Sequence, residues 1–171
     1  MANYNPSTIA RIGDLVNGIQ VDTSTVAAAS YFLTGDTQTE LFNVYGRVRI
    51  HSLFGEVTVV LSNHACVVYY NFTSTDPVIA VQPISAASAS LAQLAVGERI
   101  SWVGGAVATA VVLTATPGIS DINPAPQIVG TAGGTGSIGM LTATASLTSG
   151  NVKFSCFDTP MSDGAYVTAA L

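Results

Sequence analysis

The sequence predicts an all-β fold: an antiparallel β-sandwich of jelly-roll-like type, with a short N-terminal arm and at most one or two short helices. Three observations carry this expectation. From Ser30 onward, short runs of Val, Ile, Tyr, Phe and Thr are separated by Gly, Asn, Asp and Pro, the texture of many short strands joined by turns. Residues 41–53 alternate with a period of two. Phe42, Val44, Gly46, Val48, Ile50 and Ser52 share one face, and Asn43, Tyr45, Arg47, Arg49 and His51 the other, as a strand buried on one side requires. Finally, the chain is 49% hydrophobic and only 9% charged, so it has ample apolar surface for a packed core and lacks the charge-rich composition of a disordered chain.

Residues 1–28 read as an arm or partly helical lead-in. Ile9, Ile12, Leu15, Val16 and Ile19 fall near helical spacing, weakened by Gly13 and Gly18. Residues 29–171 read as one sandwich domain. After the 41–53 strand, Phe54-Gly55 is expected to turn the chain into EVTVVLSN, followed by a strand over 65–72. Asp76-Pro77 punctuates and VIAVQPI follows. The stretch 85–97, SAASASLAQLAVG, is the one persuasive helix of the body, with Ser85 or Ser88 to cap it and Gly97 to end it. Residues 100–116 read as two strands joined at Gly104-Gly105. A Gly/Pro-rich loop is expected near 117–139, then a hairpin in which Leu141, Ala143, Ala145 and Leu147 alternate with polar residues before Ser149-Gly150-Asn151 turns into 152–157. No repeat of 20–50 residues is visible, which argues against propellers and solenoids.

The charge balance narrows the function classes. Across 171 residues, 5 Lys and Arg stand against 10 Asp and Glu, a net charge of −5. With no basic cluster the chain cannot neutralise many phosphates, so nucleic acid is not an expected partner. A soluble domain usually has about a quarter of its residues charged. A surface so poor in long charged side chains suits a chain that lives in an assembly, because covering it costs little rotamer entropy and interface cores are depleted in charge. The opening MANYNPSTIARIGDLVNG lacks the basic stretch, apolar core and cleavage site of a secretory leader, so none is expected there. Residues 100–119 are uncharged and long enough to span a bilayer, but Ser101, Thr109, Thr114, Thr116, Gly104-Gly105 and Pro117-Gly118 interrupt them. Two strands fit better than a membrane helix, and no membrane partner is expected.

No catalytic constellation emerges. Cys66 and Cys156 are too few for a disulfide framework and read as buried thiols, although strands could bring them together. Asn71-Phe72-Thr73 matches a glycosylation acceptor by chance. Gly134-Thr135-Gly136-Ser137-Ile138-Gly139 is a literal G-x-G-x-x-G, but nucleotide binding needs a strand before it and a helix N-terminus after it. Here the following residues alternate like a strand, so a flexible Gly-rich loop is the expectation. His64 and Cys66 would share one face of a strand, with His51 a possible cross-strand neighbour, but a zinc site needs three or four ligands. Asp121, Asn123, Asp158 and Asp163 are loop candidates for calcium without EF-hand spacing. There is no G-x-S-x-G elbow for a Ser/His/Asp hydrolase. Glu40, Glu56 and Glu98 could supply a carboxylate pair for glycoside hydrolysis, yet each also fits the role of an acid flanking a turn and keeping a strand edge soluble. The reading is of a chain that is not an enzyme and carries no cofactor or metal.

Two stretches, GRVRIHSLFGEVTVVLSNHA and SGNVKFSCFDTPMSDGAYVTAAL, resemble small β-rich virion proteins of tailed bacteriophages, of the head decoration or cement type. The matching residues are Gly46, Val48, Ile50, Gly55, Glu56, Val57, Thr58, Gly150, Val152, Lys153, Pro160, Asp163, Gly164 and Ala165, about a quarter of the chain when the stretches around them are included. The resemblance implies a protein assembled in the host cytoplasm onto the capsid exterior. It would oligomerise there, often as a trimer, and stabilise the shell by bridging subunits of the major capsid protein. It carries no catalytic residues. The arm residues Ile9, Ile12, Leu15 and Val16 are the candidates for docking to the capsid. The rival expectations are a tail, neck or fibre component, binding host glycan through the Gly-rich loop and Tyr69, Tyr70 and Trp102, and a glycan-binding or glycan-hydrolysing β-sandwich outside any virion.

Overall fold

The computed structural model describes residues 18–35, 38–102, 110–114 and 127–171. Eleven strands form among them: β1 (Ile19–Ala27), β2 (Thr39–Tyr45), β3 (Val48–Val59), β4 (Val67–Asp76), β5 (Val78–Pro83), β6 (Arg99–Trp102), β7 (Val112–Thr114), β8 (Gln127–Val129), β9 (Thr135–Ala143), β10 (Asn151–Pro160) and β11 (Tyr166–Ala169). One helical turn, α1 (Ala28–Tyr31), follows β1. Six strands make one sheet in the order β1-β10-β3-β6-β7, with β8 also on β3; five make the other, β11-β2-β9-β4-β5. Every strand pair is antiparallel. The two sheets pack face to face, the all-β sandwich the sequence predicts.

The alternating stretch 41–53 is not one strand but parts of two, in different sheets. Its even-numbered residues are buried from Phe42 to Ile50 as expected, but the chain changes sheets at Gly46. There φ is +72°, and a Cβ would stand 2.8 Å from that of Ala165, so the crossing needs a glycine. Within β3 the buried series then changes phase, from Val48 and Ile50 to Leu53, Gly55 and Val57. The pairing with β10 shifts at the same place, between Phe157 and Asp158. A bulge at this point resets which residues face the core. Phe54-Gly55 therefore makes no turn. β3 runs straight through it, and Gly55 lets Phe154 and Val152 of β10 pack against its backbone.

Other expectations are corrected by the same tertiary context. Residues 85–97 form turns, not a helix. Their serines satisfy the free edge of β4: Tyr70 N–H donates to Ser85 Oγ at 2.9 Å and Val68 N–H to Ser88 Oγ at 3.1 Å. Ser85 and Ser88 N–H return bonds to the same two residues' carbonyls. The G-x-G-x-x-G stretch is no loop either, because all but its first glycine lie in β9, the central strand of the five-stranded sheet. The Gly/Pro-rich loop placed at 117–139 thus contains β8 and the start of β9, while residues 115–126 lie outside the described residues. Residues 141–157 are not a hairpin, since β9 and β10 belong to opposite sheets. The lead-in drawn to residue 28 reaches too far, because residues 19–27 form β1, an edge of the six-stranded sheet. Two expectations match: β6 and β7 pair as the strands on either side of Gly104-Gly105, which themselves lie outside the described residues, and β4 and β5 are joined at Asp76-Pro77.

The core lies between the sheets. Val48, Ile50, Leu53, Ile100, Trp102, Val152 and Phe154 come from one side, and Phe42, Val44, Val68, Tyr70, Ile138 and Met140 from the other, all buried. Each large apolar side chain removed from water contributes about 1.5–3 kcal/mol before conformational entropy is subtracted. Tyr70 also ties the sheets polar end to polar end, its hydroxyl donating to the Ile100 carbonyl at 3.1 Å.

Candidate functional site

The outward face of the six-stranded sheet carries the densest chemistry among the described residues. The side chains between the core positions of β1, β10, β3 and β6 point to this face, and at one level these four strands contribute a row of charges, Asp22, Lys153, Glu56 and Arg99, with Arg49 farther along β3. The register puts Lys153 opposite Glu56 and Glu56 opposite Arg99. Asp22 lies opposite Ser155 and reaches diagonally to Lys153. The order across four adjacent strands is therefore minus, plus, minus, plus. Lys153 Nζ meets Asp22 Oδ2 at 2.8 Å, and Arg99 Nη2 meets Glu56 Oε2 at 3.4 Å. Arg99 also lies over the ring of Phe54, 5.2 Å from its centre, and Phe54 stacks on Phe157 at 6.0 Å. With Gln20, Thr58 and Ser155 these residues line a hollow of about 270 Å³. Hydrogen bonds from Lys153, then Ser155 and Gln20, hold the Asp22 carboxyl down at about 2.

A hollow with two carboxylates invites comparison with a glycosidase, which needs one acid kept protonated. Asp22 is held ionised, and Glu56 is paired with Arg99. The other acids raised from sequence are placed apart: Glu40 lies on β2 in the opposite sheet, accepting from Ser137 Oγ at 3.1 Å, and Glu98 caps the turn before β6, accepting from Ala95 N–H at 2.7 Å. Among the described residues the one carboxyl pushed up, Asp158 at about 6, is buried by the fold, out of reach of a substrate.

The remaining candidates separate. His51 on β3 shares a 2.8 Å hydrogen bond with Thr159 Oγ1 and is shifted towards the neutral form by desolvation and by Arg49. His64 is exposed in the β3–β4 connection, not on a strand, 3.2 Å from Ser62 Oγ, while Cys66 is buried. Among the described residues no group of three or more His, Cys, Asp or Glu is placed to hold a metal ion. Asp158 is in a strand, not a loop; Asp163 is in the turn before β11; Asp121 and Asn123 lie outside the described residues. Both cysteines are free and buried. Asn71 is 2% exposed within β4, closed to glycosylation in the folded chain. Gly139 lies under the Gln38 side chain, which accepts from Thr73 Oγ1 at 2.9 Å. The G-x-G-x-x-G glycines thus make room for side chains within a sheet, and no helix follows them to receive a phosphate. Tyr70 and Trp102 are wholly buried and Tyr69 partly so, so the aromatic set proposed for glycan does not form a surface. Ile9, Ile12, Leu15 and Val16 lie outside the described residues.

The surface feature missed by sequence reasoning is β5. All six of its residues are exposed, including Val78 at 87%, Ile79 at 45% and Val81 at 46%. It is an uncharged edge strand, and its run VIAV is the signal that could have revealed it. No helix among the described residues is long and apolar enough to cross a membrane. No family model, no curated protein and no solved structure matches this chain.

Proposed function

We propose that this chain is a structural virion protein, not an enzyme: a head decoration, or cement, protein of tailed-phage type. It would oligomerise on the capsid exterior, with a trimer favoured, and stabilise the shell by bridging major capsid protein subunits. The observation that carries the reading is β5. Soluble domains blunt their sheet edges with charge, proline or covering loops; β5 has a proline only at its end, Pro83, and its uncharged start exposes Val78, Ile79 and Val81, a surface suited to being covered by a neighbouring chain. The resemblance adds support through its placement. Its two segments are far apart in sequence yet run side by side as β3 and β10, with Val57 opposite Val152 and Glu56 opposite Lys153.

Stabilisation would come from area buried across capsid seams, roughly 1,600 Å² for a standard interface and multiplied by every copy. The arm is the proposed docking element. Deleting residues 1–17, which stops short of β1, is expected to abolish capsid binding while leaving the sandwich folded; a truncated chain that still saturates capsids overturns the arm assignment. The test of the function is quantitative mass spectrometry of purified particles. Hundreds of copies in simple ratio to the major shell protein are expected. A dozen or a few dozen copies would move the chain to the tail or neck, and absence from particles would overturn the virion reading in favour of a free glycan-binding module.

A further inference from the structure

We propose that the outward face of the six-stranded sheet pairs with the same face of a second copy of this chain about a two-fold axis. The inference rests on the charge row alone and does not depend on the capsid reading. Across β1, β10, β3 and β6 the row reads Asp22 minus, Lys153 plus, Glu56 minus, Arg99 plus. A two-fold axis that runs along the strands between β10 and β3 turns the second copy over and reverses the row. Reversing an alternating row of four inverts every sign. Asp22 then faces the second copy's Arg99, Lys153 its Glu56, Glu56 its Lys153 and Arg99 its Asp22. A row of three or five alternating charges would instead set like against like. The even count makes this row complementary to itself, the property an isologous interface requires.

The residues have capacity for these contacts. Lys153 has three donors, and one is engaged, by Asp22. Glu56 accepts one long bond, from Arg99 at 3.4 Å. Both stay open to solvent, with 43% of the Lys153 side chain and 44% of the Glu56 side chain exposed. These two residues are directly opposite in the β3–β10 register, so they straddle the axis. The hollow between them admits the facing side chains. The chain's net charge of −5 makes two copies repel on average. This face, which carries three of the chain's five basic residues, Arg49, Arg99 and Lys153, is where that repulsion is locally reversed.

The test is sedimentation velocity on the full chain, with circular dichroism melts to confirm that each variant is folded. The wild type is expected to form a dimer that weakens as salt is raised. Lys153→Glu and Glu56→Lys, made singly, each set like charges against one another at the two central contacts of a homodimer, and each is expected to weaken association by roughly tenfold or more. An equimolar mixture of the two variants restores opposite charges at all four contacts and is expected to dimerise again. Loss of fold or of an internal ion pair cannot be repaired by mixing. If either variant fails to fold, Asp22→Lys mixed with Arg99→Glu makes the same comparison at the outer contacts. A wild type that stays monomeric, folded single variants that associate as the wild type does, or a mixture that stays apart overturns the proposal.

Discussion

Asp158 occupies the core face of β10, across the ladder from Ile19 on one side and Ile50 on the other. It is 1% exposed, and neither carboxylate oxygen has a hydrogen-bond partner. Burial therefore disfavours its charged form and pushes its pKa from 3.8 up to about 6. Between these values the folded chain holds a proton that the unfolded chain has released, so stability falls as pH rises from about 4 to 6 and stays reduced above. The full effect is up to about 3 kcal/mol. Asn cannot ionise, so the stability of Asp158→Asn relative to the wild type is expected to rise by about that much between pH 3.5 and pH 7, as read by urea unfolding at each pH. A relative stability that stays flat would show that the carboxyl is solvated. Asp22 acts with the opposite sign. Its depressed pKa adds stability above 3.8 that is lost as pH falls towards 2, but its partly exposed pair with Lys153 is worth under about 1 kcal/mol. The chemistry of the charged face was only half legible: Glu56 was raised as a candidate acid but read as flanking a turn, and nothing in the sequence paired Asp22 with Lys153, 131 residues away.

At the scale of elements, the 84–91 segment shows how one residue type can serve two structures. Ser85 and Ser88 are good helix N-caps because a short hydroxyl can accept from a free backbone N–H. Here the free N–H groups belong to the β4 edge, and the same chemistry docks a loop instead of starting a helix. Ser85→Ala and Ser88→Ala each leave a buried N–H of β4 without its acceptor, at an expected cost of about 1–3 kcal/mol in urea unfolding. Ser90→Ala, whose hydroxyl serves an exposed turn, is expected to change stability by less than about 0.5 kcal/mol. Equal effects at all three would mean that the β4 edge is satisfied by other groups. The β4–β5 unit, by contrast, was readable because Asp76-Pro77 is a local signal acting on its own neighbours.

For the whole molecule, the pattern of sheet crossings dominates. β1 to β2, β2 to β3, β3 to β4, β5 to β6, β8 to β9, β9 to β10 and β10 to β11 all pass from one sheet to the other, so neither sheet is built from a continuous piece of chain. Such long-range pairing must form together, and a single cooperative unfolding transition is expected. Trp102 reports on it cleanly. It is the only tryptophan, fully buried between the sheets, so its emission should be blue-shifted in the folded chain and shift red on unfolding. Its midpoint in urea is expected to coincide with that of far-UV circular dichroism. Separate midpoints would mean that the sheets unfold independently.

The sequence by itself determined the class of fold, since period-two alternation, β-branched runs and a low charge content act locally and leave a chain only strands to form. It also marked several strands, its runs 65–72, 78–84 and 152–157 falling on β4, β5 and β10. Tertiary structure alone decided which sheet each strand joined, that Gly46 divides one alternating run between two sheets, that a bulge changes the phase of β3, and that a Gly-rich motif lies at the centre of a sheet. These outcomes depend on what stands opposite each residue. Opposition across a sheet is set by partners up to a hundred or more residues distant, which no local pattern encodes.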